Sequence, residues 1–298
     1  MWSPVEKTAL AEAEVEYHDY TSTTIHVRFA VREATTPELE GASIVIWTTT
    51  AWTMPGNRAL AVGPDLDYSV ITVTGVLEDS LAKVGEKLVV ATLLVDDFCN
   101  TTKIESYDTQ TSLKGSDIVG TVCDHPLRGQ GFDHDARVLS ADYATAEDGT
   151  GIVHIAPGHG PEDWILGMDN GVEVPQTVGE DGCFYAHVPL FAGQHVYKAG
   201  DGIAETLNEA GGLLAKGKLV HRYPHSWRSK APLIYRNTSQ WFISMEENDL
   251  RKKALAAIEE TRFVPASGKT RLRTMIADRP DWCVSRQRAW GVPIAVFT

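Results

Sequence analysis

The chain has 298 residues, 43% hydrophobic and 22% charged, with a formal net charge of -13. That is enough apolar material for a sizeable core, and it excludes wholesale disorder. Cys99, Cys123, Cys183 and Cys283 include no C-x-x-C pair, so neither a disulfide framework nor a sequence-local zinc knuckle is expected. No secretory signal is recognisable at the start, and no apolar run approaches the roughly 20 residues that span a bilayer. The expectation is a soluble, cytoplasmic protein with no membrane contact, and a monomer.

The charge is uneven. Residues 1–200 hold 11 Lys+Arg against 30 Asp+Glu, and residues 201–298 hold 16 against 10. The basic C-terminal third is the natural place for phosphate contacts, although a solvated mixed surface explains the same charges.

In chain order, strands are expected at 27–31, 43–47, 68–73 and 87–91, where β-branched or aromatic residues stand between Gly, Pro and Asp breaks. Further strands are expected at 103–107, 117–122, 136–139, 151–155 and 218–223. Helices are expected at 161–170, 200–210 and 246–261. The first opens on Pro161, Glu162 and Asp163 and closes near Gly171, which are helix start and stop signals. Many short strands without regular intervening helices predict an α+β fold: a mainly β, barrel-like or folded-over sheet decorated by a few helices. After about residue 224 the texture turns basic and aromatic, through His225-Ser226-Trp227-Arg228 and on to Asp281-Trp282-Cys283. The expected division is 1–224 for the β unit and 225–298 for an extended connecting segment.

Two segments could hold a reaction. The first, Trp47-Thr48-Thr49-Thr50-Ala51-Trp52-Thr53-Met54-Pro55-Gly56-Asn57, runs a strand into a turn rich in hydroxyls, which both donate and accept hydrogen bonds. They could position a water and a polar ester, or simply finish a Thr-rich strand. The second, Gly149-Thr150-Gly151-Ile152-Val153-His154-Ile155-Ala156-Pro157-Gly158-His159-Gly160-Pro161-Glu162-Asp163, delivers two histidines and two acids to one helix start. Asp163 there could serve a site or favour the helix terminus. A metallohydrolase built on His154, His159 and Asp163 is a rival reading, but the spacing matches no metal signature, and no metal is expected. No nucleophile motif and no phosphate-cradling loop is present, so attack by a positioned water is the simplest hydrolytic mechanism.

On these two segments the chain resembles the connective-peptide editing insertion of isoleucyl-tRNA synthetases, in the class I aminoacyl-tRNA synthetase family. The resemblance extends from Trp2-Ser3-Pro4 to Trp290-Gly291-Val292-Pro293-Ile294. Valyl and leucyl relatives share the threonine start but continue with Arg-Pro rather than Ala51-Trp52. Three departures stand out. Family members often carry Pro where Ala51 stands. Ser226 and Ser229 occupy positions that are cysteines in many relatives, and Ser3 and Glu6 replace another such pair, which argues against bound zinc. Neither ATP-site motif of the class occurs, so the resemblance implies a fragment of a full-length synthetase that cannot activate an amino acid.

The resemblance implies hydrolysis of valine wrongly attached to the isoleucine tRNA, with the tRNA acceptor end as partner and no cofactor. A pocket for isoleucine cannot strongly reject valine, a limit for which this family is the usual illustration, and a second site removes what slips through. That second pocket must exclude the larger side chain with a rigid wall. Residues matching His154 and Trp52 line it in the family. Asp163 matches the carboxylate that binds the substrate α-ammonium. Thr48, Thr49 and Thr50 match residues holding the ester, the terminal adenosine and the attacking water, and Asn57 matches another functional position. His159 and Glu162 are expected to be structural. The rival from another class is a non-catalytic tRNA-binding module; a valyl or leucyl editing domain is the nearer alternative.

Overall fold

The computed structural model describes residues 1–285 of the chain. The C-terminal stretch from Arg286, with the Trp290–Ile294 segment quoted above, lies outside the described residues. The chain divides into two compact units, Met1–Asn237 and Thr238 onward.

In the first unit the strands are β1 (Trp2–Ser3), β2 (Thr8–Ala9), β3 (Val15–Glu33), β4 (Ala42–Thr48), β5 (Ala59–Val62), β6 (Asp67–Val76), β7 (Lys87–Ala91), β8 (Ile104–Lys114), β9 (Val122–Asp124), β10 (Asp135–Ser140), β11 (Ile152–Ile155) and β12 (Leu213–Ser226). The helices are α1 (Val95–Thr102), α2 (Gly115–Ile118), α3 (Pro161–Asp169) and α4 (Val196–Glu209). Among the described residues, ten strands form one mixed sheet ordered β11-β5-β10-β9-β3-β4-β7-β6-β8, with β12 also paired to β3. The sheet is open rather than a closed barrel, since β11 and β8 are its two ends. It is folded over enough that β11 packs beside β4.

Side-chain alternation builds a core on each face of the central strands. Ile44 and Ile46 of β4, Val70 of β6 and Val89 of β7 enter one apolar cluster; Val45, Ile71, Leu88 and Val90 enter a second one with Phe98 of α1. Strands buried on both faces read as continuous apolar runs, which is why these were visible in the sequence. The edge strand β8 alternates exposed Thr, Ser and charged residues instead.

Some expectations shift. The run 117–122 is not one strand. Asp117 accepts a bond from the Lys114 N–H at 3.0 Å and starts the short helix α2; pairing resumes only at Val122. Gly115 is required here, because a Cβ would stand 2.0 Å from the Gly63 carbonyl oxygen. Strands β3 and β12 are far longer than their expected cores, forming an antiparallel ribbon that pairs Glu16 with His225 and Ile25 with Lys216. Residues 225–237 stay with the first unit: Trp2 and Ile234 exchange backbone bonds of 2.8 and 3.0 Å, and Asn237 N–H reaches the Gly158 carbonyl at 3.1 Å.

The four positions set opposite family cysteines converge. Ser226 Oγ donates to Glu6 Oε1 at 2.6 Å, Ser229 N–H donates to the same oxygen at 3.1 Å, and Glu6 N–H donates to Ser3 Oγ at 3.2 Å. Partial burial pushes the Glu6 carboxyl up, but these serine bonds outweigh it and hold it below the usual range. A hydrogen-bonded carboxylate thus ties the start of the chain to the end of β12.

The second unit holds β13 (Phe242–Ile243) paired with β14 (Trp282–Cys283), and the helices α5 (Leu250–Glu260) and α6 (Ser267–Ala277), which pack on each other. The helix expected from 246 starts at Leu250 because Asn248 and Asp249 adopt left-handed φ of 54° and 58°. Arg251 Nη1 caps α6 by donating to the Ile276 and Ala277 carbonyls at 2.8 Å each. So the expected extended segment contains a helical pair. Among the described residues no helix is long and apolar enough to cross a membrane.

Candidate functional site

Strand β4 ends at Thr48, and the chain turns through Thr49 and Thr50 into a 3-10 segment, Ala51–Gly56. Thr48 Oγ1 accepts the Thr50 N–H at 3.0 Å, so this hydroxyl shapes the turn. Thr49, Thr50 and Trp52 line an open-mouthed cavity of about 140 Å³, together with residues of β3, the start of α4 and Tyr223 of β12. Thr48, Asn57, His154 and Asp163 are not among its walls.

His154 is carried on β11, antiparallel to β5, with Leu60 as its register partner. It is buried, and both ring nitrogens are engaged: Nδ1 with Asn57 Nδ2 at 2.8 Å and Nε2 with Thr53 Oγ1 at 2.8 Å. Burial pulls its pKa down to about 3, so the ring is neutral. Asn57 is fully buried and gives its second amide proton to the Ala59 carbonyl at 2.9 Å. The structure thus brings Asn57 and His154, both singled out in the sequence, into one buried contact, with Asn57 turned onto the ring. Thr53 was missed; its only signal was membership of the same threonine-rich segment.

Beyond β11 the Pro157–Gly160 turn leads into α3. Asp163, in the first turn of that helix, accepts the Ala156 N–H at 2.8 Å. Burial pushes the Asp163 pKa up, and Glu162 adds to this; the Ala156 bond pulls the other way. Tyr143 faces the same pair of acids, and its phenol is pushed up to about 12 by burial first and then by Asp163 and Glu162. Sequence reading gave no hint of Tyr143.

Trp52 is half-buried and meets His159 edge-on, with ring centroids 5.0 Å apart at 79°. His159 contacts the Tyr235 carbonyl through Nδ1 at 2.9 Å and Thr177 Oγ1 through Nε2 at 2.6 Å. Burial lowers its pKa to about 4. His159 thus braces the turn and packs its ring edge-on against Trp52. Gly56 makes room for it, since a Cβ there would stand 2.9 Å from His159 Cδ2.

The arrangement has no free imidazole to act as a base at His154 or His159. Among the described residues no group of three or more His, Cys, Asp or Glu side chains is placed to hold a metal ion. What remains is a partly buried carboxylate, a row of hydroxyls and two aromatic side chains, Trp52 and His154, held in the fold.

A family model described as tRNA synthetases class I (I, L, M and V) matches residues 1–298. The chain belongs to the class I tRNA synthetases. Isoleucine--tRNA ligase of Gluconobacter oxydans is 52% identical to this synthetase chain, covering 100% of it and 32% of the relative. Isoleucine--tRNA ligases of Pelagibacter ubique and Bradyrhizobium diazoefficiens are 49% and 45% identical, again over all of this chain and 32% of theirs. The chain thus spans about a third of the length of the curated relatives it matches. A solved structure titled "The crystal structure of GlLeuRS-CP1" matches at 15% identity with a TM-score of 0.48, over 65% of this chain and 98% of that one.

Proposed function

We propose that this part of a class I synthetase is a hydrolytic editing unit, which cleaves the ester of valine misattached to the isoleucine tRNA. The observation that carries the reading is the placement of Asp163. Its carboxylate is partly buried, held by one backbone N–H, and sits at the end of the strand that bears the neutral His154. A carboxylate whose charge is disfavoured by burial gains most from an incoming ammonium, which restores its ionised form through a charge-assisted bond. His154 then serves as an uncharged wall against which a side chain packs.

The aminoacyl ester is already activated. A water fixed by the Thr49–Thr50 hydroxyls near the carbonyl would exploit proximity, and donors on the turn would stabilise the developing oxyanion. The reading demands that the bound ester bridge the threonine turn and Asp163. On this reading discrimination follows from shape: Trp52 at the cavity wall, and the buried His154 ring joined to the threonine turn through Thr53, leave room for valine and obstruct the extra methylene of isoleucine.

Release of free valine from valyl-tRNA by this chain tests the reading, with Asp163→Ala as control. A non-catalytic tRNA-binding module would bind the acceptor end and release no valine.

A further inference from the structure

The hydrogen bonds around His154 run in one direction. Asn57 Nδ2 carries two protons; the Ala59 carbonyl takes one at 2.9 Å, and this fixes which end of the amide faces the ring. Turning the amide over would set Asn57 Oδ1 against the Ala59 oxygen, acceptor to acceptor. The second amide proton points at His154 Nδ1, 2.8 Å away, so Nδ1 is the acceptor nitrogen. The ring proton therefore sits on Nε2 and is donated to Thr53 Oγ1 at 2.8 Å. Thr53 passes its own proton to the Thr50 carbonyl at 2.8 Å. The chain of donors thus runs from Asn57 through His154 and Thr53 to the backbone of the threonine turn.

Three features mark this as a built device. Asn57 is fully buried, and its Oδ1 has no hydrogen-bond partner although a buried acceptor is costly to leave unpaired. Leucine or another apolar residue would fill such a position without that cost, so the amide is retained for what Nδ2 does. The partners of His154 lie 97 and 101 residues away along the chain, so the contacts belong to the tertiary fold. Finally, the network ends on Thr50, the residue that opens the 3-10 segment carrying Trp52.

We propose that Asn57 and Thr53 are positioning residues which set the Nε2–H tautomer of His154 and lock its ring plane, so that the wall and the threonine turn are held in one rigid relay. The proposal rests on the editing reading for its purpose, but the tautomer itself does not. A loosely held ring would swing aside for one more methylene; a ring clamped at both nitrogens does not.

The test uses the whole chain with ¹⁵N-labelled histidine. Long-range ¹H–¹⁵N spectra should show His154 with an unprotonated Nδ1 and a protonated Nε2. Asn57→Asp replaces the donor by an acceptor and should move the proton to Nδ1. Thr53→Val, nearly isosteric, should lower the preference for valyl over isoleucyl ester by about tenfold or more, the scale on which a small misplacement acts; Thr53→Ser should restore it. A protonated Nδ1 in the unaltered chain overturns the proposal, and so does an unchanged preference in Thr53→Val. If the chain cleaves neither ester, the editing reading fails, and the tautomer spectra of the unaltered and Asn57→Asp chains still decide the relay.

Discussion

Asp163 Oδ2 lies 2.8 Å from the backbone nitrogen of Ala156, the residue directly after the strand that carries His154. One hydrogen bond thus ties the first turn of α3 to the end of β11. The carboxylate and the strand that carries the imidazole cannot drift apart without breaking it. In the proposed reaction, the group that grips the amino end and the group that measures the side chain belong to one rigid piece.

Asp163→Asn keeps an oxygen for the Ala156 N–H and removes only the charge. It should lower valyl-tRNA hydrolysis by roughly two orders of magnitude, on the scale of a lost charge-assisted bond of about 3 kcal/mol. The loss of an acid at the helix start should cost no more than about 1 kcal/mol of stability. Single-turnover deacylation and a thermal melt check both parts. Full activity in Asp163→Asn would remove the carboxylate from binding.

The same residue sets a pH dependence. Burial holds the Asp163 pKa above that of an ordinary aspartate, so at low pH it is protonated and cannot pair with an ammonium. Hydrolysis should rise as pH increases through that raised value, and the midpoint should lie above about 3.9. In Asp163→Asn the residual rate should lose this limb. A profile with the same acidic limb in both proteins would assign it to another group.

His154→Ala should let isoleucyl-tRNA be cleaved, because the wall is gone. The same change strips Asn57 and Thr53 of their partner, which should cost roughly 1–3 kcal/mol in urea unfolding. Unchanged discrimination between the two esters, in a variant shown to be folded, would refute the steric role.

How much of this was readable beforehand depended on where each residue's partners lie. Central strands such as β4 and β7 were legible because both faces are buried, giving the runs Ile44–Ile46 and Leu88–Val90. Strand β5 was not, since Ala59-Leu60-Ala61-Val62 is short and half of it is alanine, a residue of low β preference; its place is set by pairing with β10 and β11. Helix α1 was hidden by Asp96, Asp97, Asn100 and Thr101 on its exposed face, although Phe98 and Cys99 bury the other. The Thr-rich and Gly-His segments stood out as site candidates, and the fold brings Thr53 and Asn57 of the first onto His154 of the second. That Asn57 spends its amide on His154, and that Thr53 completes the pair, was not legible, because those bonds join residues about a hundred positions apart. The hydroxyls at Ser226 and Ser229 read only as replacements; their convergence on Glu6 needed the β3–β12 ribbon.

The buried histidines predict acid sensitivity. Burial lowers His125 and His154 to about 3 and His26, His134 and His159 to about 4. An unfolded histidine titrates near 6.5, so below that pH the unfolded chain takes up protons that the folded chain refuses. The stability these neutral rings contribute is present above about pH 6.5 and is lost as pH falls toward 4. Each excluded proton steepens the decline by about 1.4 kcal/mol per pH unit. Urea unfolding from pH 7.5 to 4.5 should show a steep fall in midpoint, and a flat response over that range would contradict the neutral buried rings.

Side-by-side deacylation of valyl- and isoleucyl-tRNA by this chain, with released amino acid measured against time, tests the central claim most directly. The account predicts rapid loss of valine and slow loss of isoleucine, with the gap closing in His154→Ala. Equal rates for the two esters, or no release of valine at all, would contradict it.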